Sequence, residues 1–92
     1  MTDLMKKFSE AAKTVSSSKA PMWELVKQAY FDYLSDISTD DLPKETQIFY
    51  DSVKLRITSG ELFGHISNDE ARYIANDIIY LANVIISGLR KL

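Results

Sequence analysis

The sequence predicts an all-α protein, a single-domain antiparallel four-helix bundle. Three observations carry this. Apolar residues recur at three- and four-residue spacing in four separate stretches, and no stretch alternates with the period of two that a strand needs. Only three Gly and two Pro occur, and all five fall at the boundaries of those stretches. The chain has 92 residues, enough for one hydrophobic core and too few for two.

The first stretch predicts a helix over about 3–16, with Thr2 or Asp3 as its cap. Leu4, Phe8, Ala11 and Val15 form one line, flanked by Met5 and Ala12, while Lys6, Glu10 and Lys13 face away. A polar link, Ser16-Ser17-Ser18-Lys19, follows. The second helix is expected over about 21–37, opening on Pro21, whose fixed φ suits a first helical position. Met22, Val26, Ala29, Tyr30, Tyr33, Leu34 and Ile37 share a broad face with Trp23 at its edge. Phe31 points away from that face and should be exposed.

The link Ser38-Thr39-Asp40-Asp41-Leu42-Pro43 is rich in capping and turn residues. Its acids, with Asp32, Asp36 and Glu45 nearby, read as a solvated helix end near the next N-terminus, where the helix dipole favours negative charge. They match no calcium loop, which also needs a central Gly. The third helix is expected over about 44–58, with Gly60 as a left-handed cap. Ile48, Phe49, Val53, Leu55 and Ile57 spread around much of it. Arg56 falls inside that arc, so its guanidinium needs either an acid or a route to water. Asp77 is the acid expected to pair with it, because loops of this length join antiparallel neighbours.

The fourth helix is expected over about 68–90. Ser67-Asn68-Asp69-Glu70 is a capping box, in which Ser67 accepts from the amide three residues on and Glu70 reaches back. Ala71, Ile74, Ile78, Leu81 and Ile85 form one line, which Ala75, Ile79, Ala82, Ile86 and Leu89 widen to an arc of roughly 160°. This helix should be the most buried member. Tyr73, Tyr80 and Val84 make a second stripe, open to two readings: packing against the first helix, or a partner surface. Tyr30, Tyr33 and Tyr50 are expected to turn their rings inward and keep wet hydroxyls.

Composition narrows the function. Apolar residues make up 46% and charged residues 26%, the balance of a folded soluble domain. The net charge is -2, so the clustered Lys and Arg of a phosphate-binding surface are not expected, and neither is nucleic acid as a partner. With no Cys, disulfides, thiolate metal sites and Cys nucleophiles are excluded together. The single histidine, His65, has no orienting acid or nucleophile beside it in sequence, so neither a catalytic nor a metal role is expected. Gly60 and Gly64 lack the strand and the Lys-Ser/Thr of a phosphate loop. No catalytic residue, cofactor or metal is therefore expected. No apolar run approaches the roughly 20 residues of a membrane span, and none follows Lys6 and Lys7 as a signal peptide would require. The expected compartment is the cytoplasm.

One local pattern is more specific. Arg56-Ile57-Thr58, eight further residues, and then Ser67-Asn68-Asp69-Glu70 resemble the same junction in the immunity proteins of pediocin-like (class IIa) bacteriocins. The similarity is close at these two motifs and loose over 22–85. The loop between the motifs departs from the family pattern, with Glu61 and two glycines where a more basic segment is expected. The resemblance implies a non-catalytic protein that protects a bacteriocin producer. It would act at the inner face of the cell membrane, on the sugar-transporter receptor with its bound bacteriocin. It also implies recognition through the C-terminal half, where Lys54, Phe63, His65, Tyr73, Tyr80, Arg90 and Lys91 are the expected partner-binding residues. The alternative is a small helical inhibitor or adaptor, phage- or toxin-linked and oligomeric, suggested by size, the Tyr73/Tyr80 stripe and Phe31.

Overall fold

A computed structural model describes the backbone of residues 3–17, 19–63 and 66–90, with side chains at all of these but 61–63, 89 and 90. The described residues form four α-helices and no strand: α1 (Asp3–Ser16), α2 (Met22–Ala29), α3 (Lys44–Phe63) and α4 (Asn68–Arg90). A π-helical turn, Tyr30–Leu34, prolongs α2, and a 3-10 turn, Thr39–Asp41, leads into α3. The bounds of α1 and α4 are those the periodicity predicts.

The four helices make an all-α bundle with α4 at its centre. α4 packs most extensively against α1, and also against α2 and α3. Its wide apolar arc explains the arrangement, because one narrow stripe could not serve three neighbours. The core joins Phe8, Ala11 and Val15 of α1 to Val26, Ala29, Tyr30 and Leu34. Tyr50, Val53 and Ile57 of α3 enter from the other side and meet Ala71, Ile74, Ile78, Leu81 and Ile85 of α4. Leu25 is buried as well, which its place outside the expected face of α2 did not suggest.

Several sequence expectations need correction. The second helix is not one α-helix to residue 37. After Ala29 the hydrogen bonds step back five residues, as in Ser35 N–H to the Tyr30 carbonyl at 2.8 Å. Phe31 stays outside while Tyr30 and Leu34 both enter the core, the sides that helical spacing assigns them. The Tyr50 hydroxyl of α3 shares its one proton between the carbonyls of Leu34, at the end of this segment, and Ile37 beyond it. Tyr50 is thus fully buried to its oxygen, rather than wet at its tip.

The third helix does not stop at Thr58, and Gly60 is not its cap. α3 runs through Gly60 to Phe63. The glycine serves packing: a Cβ there would overlap Ile66 Cγ1 and stand 2.7 Å from Ile66 Cδ1. The missing side chain is the space into which Ile66, itself buried, folds. The start of α4 carries half of the expected capping box. Ser67 Oγ accepts from the Glu70 amide at 3.2 Å, while the exposed Glu70 carboxylate makes no return bond to the Ser67 amide.

Candidate partner-binding face

α3 and α4 run antiparallel, and aromatic surface reaches solvent along their seam. Phe49 of α3 is half-buried, and its ring meets that of Tyr80 with centroids 4.9 Å apart and planes tilted by 55°. Tyr80 stays 46% exposed and Tyr73 66% exposed. Seven residues separate the two tyrosines, which places them within about 20° of each other on α4. Neither ring enters the core, so both tyrosines are surface residues, with Tyr80 resting on Phe49 of α3. Below Tyr80 an open groove runs between the start of α3 and the end of α4, lined by Pro43, Glu45, Asn83, Val84 and Ser87.

Electrostatics along the seam are set by Arg56 and Asp77. Asp77 is half-buried. Burial pushes its carboxyl above the ordinary range, and the Arg56 charge pulls it partly back down. The two side chains nevertheless form no salt bridge; among the described residues such pairs join Lys7 to Asp36 and Lys13 to Glu10. The expected Arg56–Asp77 pair is therefore replaced by the other route, an exposed guanidinium. The reason is that the apolar arc of α3 is narrower than its sequence suggests. Ile48 and Leu55 lie outside it, so Arg56 sits on a solvated flank.

In the acidic region before α3, Asp36 is paired with α1. Lys7 Nζ stands 2.9 Å from Asp36 Oδ2. That hydrogen bond holds the Asp36 carboxyl below its usual range. Thr39 Oγ1 donates to Asp51 Oδ1 at 2.7 Å. Among the described residues no three His, Asp or Glu side chains converge as metal ligands would.

Of the residues expected to bind a partner, the structure groups Tyr73 and Tyr80 on one face. Lys54 is exposed but lies about 140° round α3 from Phe49, so it does not join them. Phe63 and Arg90 belong to the ends of α3 and α4, with side chains outside the described residues, and His65 and Lys91 lie outside them altogether. The sequence reading missed Phe49 as the partner of Tyr80, and it missed that Ile48 and Leu55 are surface residues. The available signal was their seven-residue spacing on the side of α3 opposite Tyr50, Val53 and Ile57.

No described helix is long and apolar enough to cross a membrane. Comparison with protein families, with characterised proteins and with solved structures finds no significant match for the chain.

Proposed function

We propose that this protein is a bacteriocin immunity protein of the pediocin-like type. In this reading it is a non-catalytic bundle that binds the complex of bacteriocin and receptor from the cytosolic side. The observation that supports it is the pair Tyr73 and Tyr80, large aromatic side chains left exposed on the central helix, in the half of the chain that the resemblance associates with recognition. Interface energy concentrates in a few aromatic and Arg positions, and tyrosine offers broad contact area with a polar tip. Arg56-Ile57-Thr58 lies within the second half of α3, and Ser67–Glu70 opens α4.

Expression in a sensitive strain tests the reading, with survival scored against a broad panel of class IIa peptides. Resistance to at least one peptide is expected. Tyr73→Ser combined with Tyr80→Ser should remove most of it while the purified variant still melts cooperatively. His65→Ala should retain it, since no chemical task is assigned to the histidine. Folded, expressed protein that protects against no peptide rejects the immunity reading. The helical inhibitor or adaptor then leads, favoured by the exposed Trp23 on α2 and Phe31 on the π-helical turn.

A further inference from the structure

The most exposed large apolar side chains in the described structure are on α3, away from the tyrosine face. Ile48 is 74% exposed and Leu55 67%. Both sit roughly opposite the buried line of Thr46, Tyr50, Val53 and Ile57. α3 packs on α4 and on the 3-10 turn, which leaves this outer side bare. Scattered exposed apolar residues are ordinary. These two are not scattered: Ile48, Ser52, Leu55 and Ser59 follow at steps of four, three and four, the spacing of a helix-pairing seam. The serines between them are small enough for another backbone to approach.

We infer that this face pairs with the same face of a second copy, α3 against α3 and antiparallel, about a twofold axis near Asp51 and Ser52. The charges flanking the seam favour that occupant. When Ile48 of one copy lies opposite Leu55 of the other, Glu45 falls beside Arg56 of the second copy on one flank. On the other flank Asp51, next to the axis, lies across from Asp51 of the second copy, so that flank adds no attraction and keeps the pairing weak. Symmetry repeats the Glu45–Arg56 pair, so two opposite-charge contacts flank four large apolar side chains. Both residues are exposed, and neither is used in a salt bridge within the described chain. The surface is small, so the dimer is a weak and transient one. The inference is independent of the immunity reading, because it uses a different face and a different partner.

Sedimentation equilibrium on the full chain, up to about 1 mM, tests it. Reversible dimerisation is expected for the wild type. Leu55→Glu should weaken it about tenfold or more, by placing like charges in the seam, while the melt stays cooperative because the position is already in water. Glu45→Arg and Arg56→Glu should each weaken self-association. Mixed together, the two variants should associate with each other more tightly than either does with itself, because one Glu45–Arg56 pair is kept and the other is restored with its charges exchanged. A wild type that stays monomeric throughout overturns the inference. So does a mixture that associates no better than its components, and so does a dimer indifferent to both Leu55→Glu and Glu45→Arg.

Discussion

Tyr50 shows how much one side chain can decide. Its ring is fully buried and meets Phe8 edge-on, with centroids 6.3 Å apart. Its hydroxyl lies 2.6 Å from the Leu34 carbonyl, which also accepts from the Ile37 amide, and 2.7 Å from the carbonyl of Ile37. Burial pushes the phenol far above its ordinary range, so it remains a donor at any pH the fold survives. Tyr50→Phe keeps the ring and removes the hydroxyl donor of the Ile37 carbonyl, while Leu34 keeps the Ile37 amide. It should cost about 1–3 kcal/mol in urea melts. A variant within about 0.5 kcal/mol of wild type, the scatter of neutral surface changes, rejects this role. Asp77 works in the opposite sense. Its carboxyl is raised in the folded chain by burial. As pH rises through the ordinary carboxylate range the unfolded chain ionises first, and the folded state loses stability until its own raised value is passed. Asp77→Asn should therefore raise Tm at neutral pH, with the gain shrinking toward about pH 3, where both states are protonated. Thermal melts across that range check it, and a lower Tm at neutral pH overturns it. At this scale Ser67 was legible and Tyr50 was not. A cap lies three residues from the amide it serves, whereas the Tyr50 hydroxyl serves a carbonyl sixteen residues away.

Whole elements were legible where local signals agreed. α1 and α4 each carry one apolar face and polar punctuation at the start, and their observed bounds match those predicted from the sequence. α2 and α3 depart from the predicted bounds, and in α3 a tertiary contact overrides the local rule. Gly60 reads locally as a helix stop. In the fold it is an ordinary helical residue whose missing Cβ admits Ile66. These two readings give opposite predictions for Gly60→Ala. A bare helix would gain about 1 kcal/mol from the substitution. Here overpacking of about 1–3 kcal/mol opposes that gain, and net destabilisation is expected. In an Ile66→Ala background the obstruction is gone, and the same change should be neutral or stabilising. A double-mutant cycle by denaturant melts measures the coupling, and additivity of the two substitutions rejects the contact. The π-helical turn is a different case: nothing in Tyr30–Leu34 demands it locally, and an unbroken α-helix would also bring Tyr30 and Leu34 to the core.

For the molecule as a whole, the sequence by itself determined the all-α class, the ends of α1 and α4, and the central place of α4. Hydrophobic periodicity is a property of neighbours along the chain, and it survives without knowledge of the partner. It also determined that Phe31 is outside and that Tyr73 and Tyr80 share a stripe, because spacing alone fixes those angles. Only the tertiary structure decided which stripes find a neighbour. α3 occupies the edge of the bundle and touches α4 along one side, so Ile48 and Leu55 are left in water although they are as apolar as the core residues beside them. The same edge position sends Arg56 to solvent and separates Lys54 from the tyrosines. It also brings Phe49 under Tyr80. Periodicity states which residues could be buried together on a helix. Burial itself requires a second surface, and the supply of that surface is set by how four helices divide the one wide apolar face of α4.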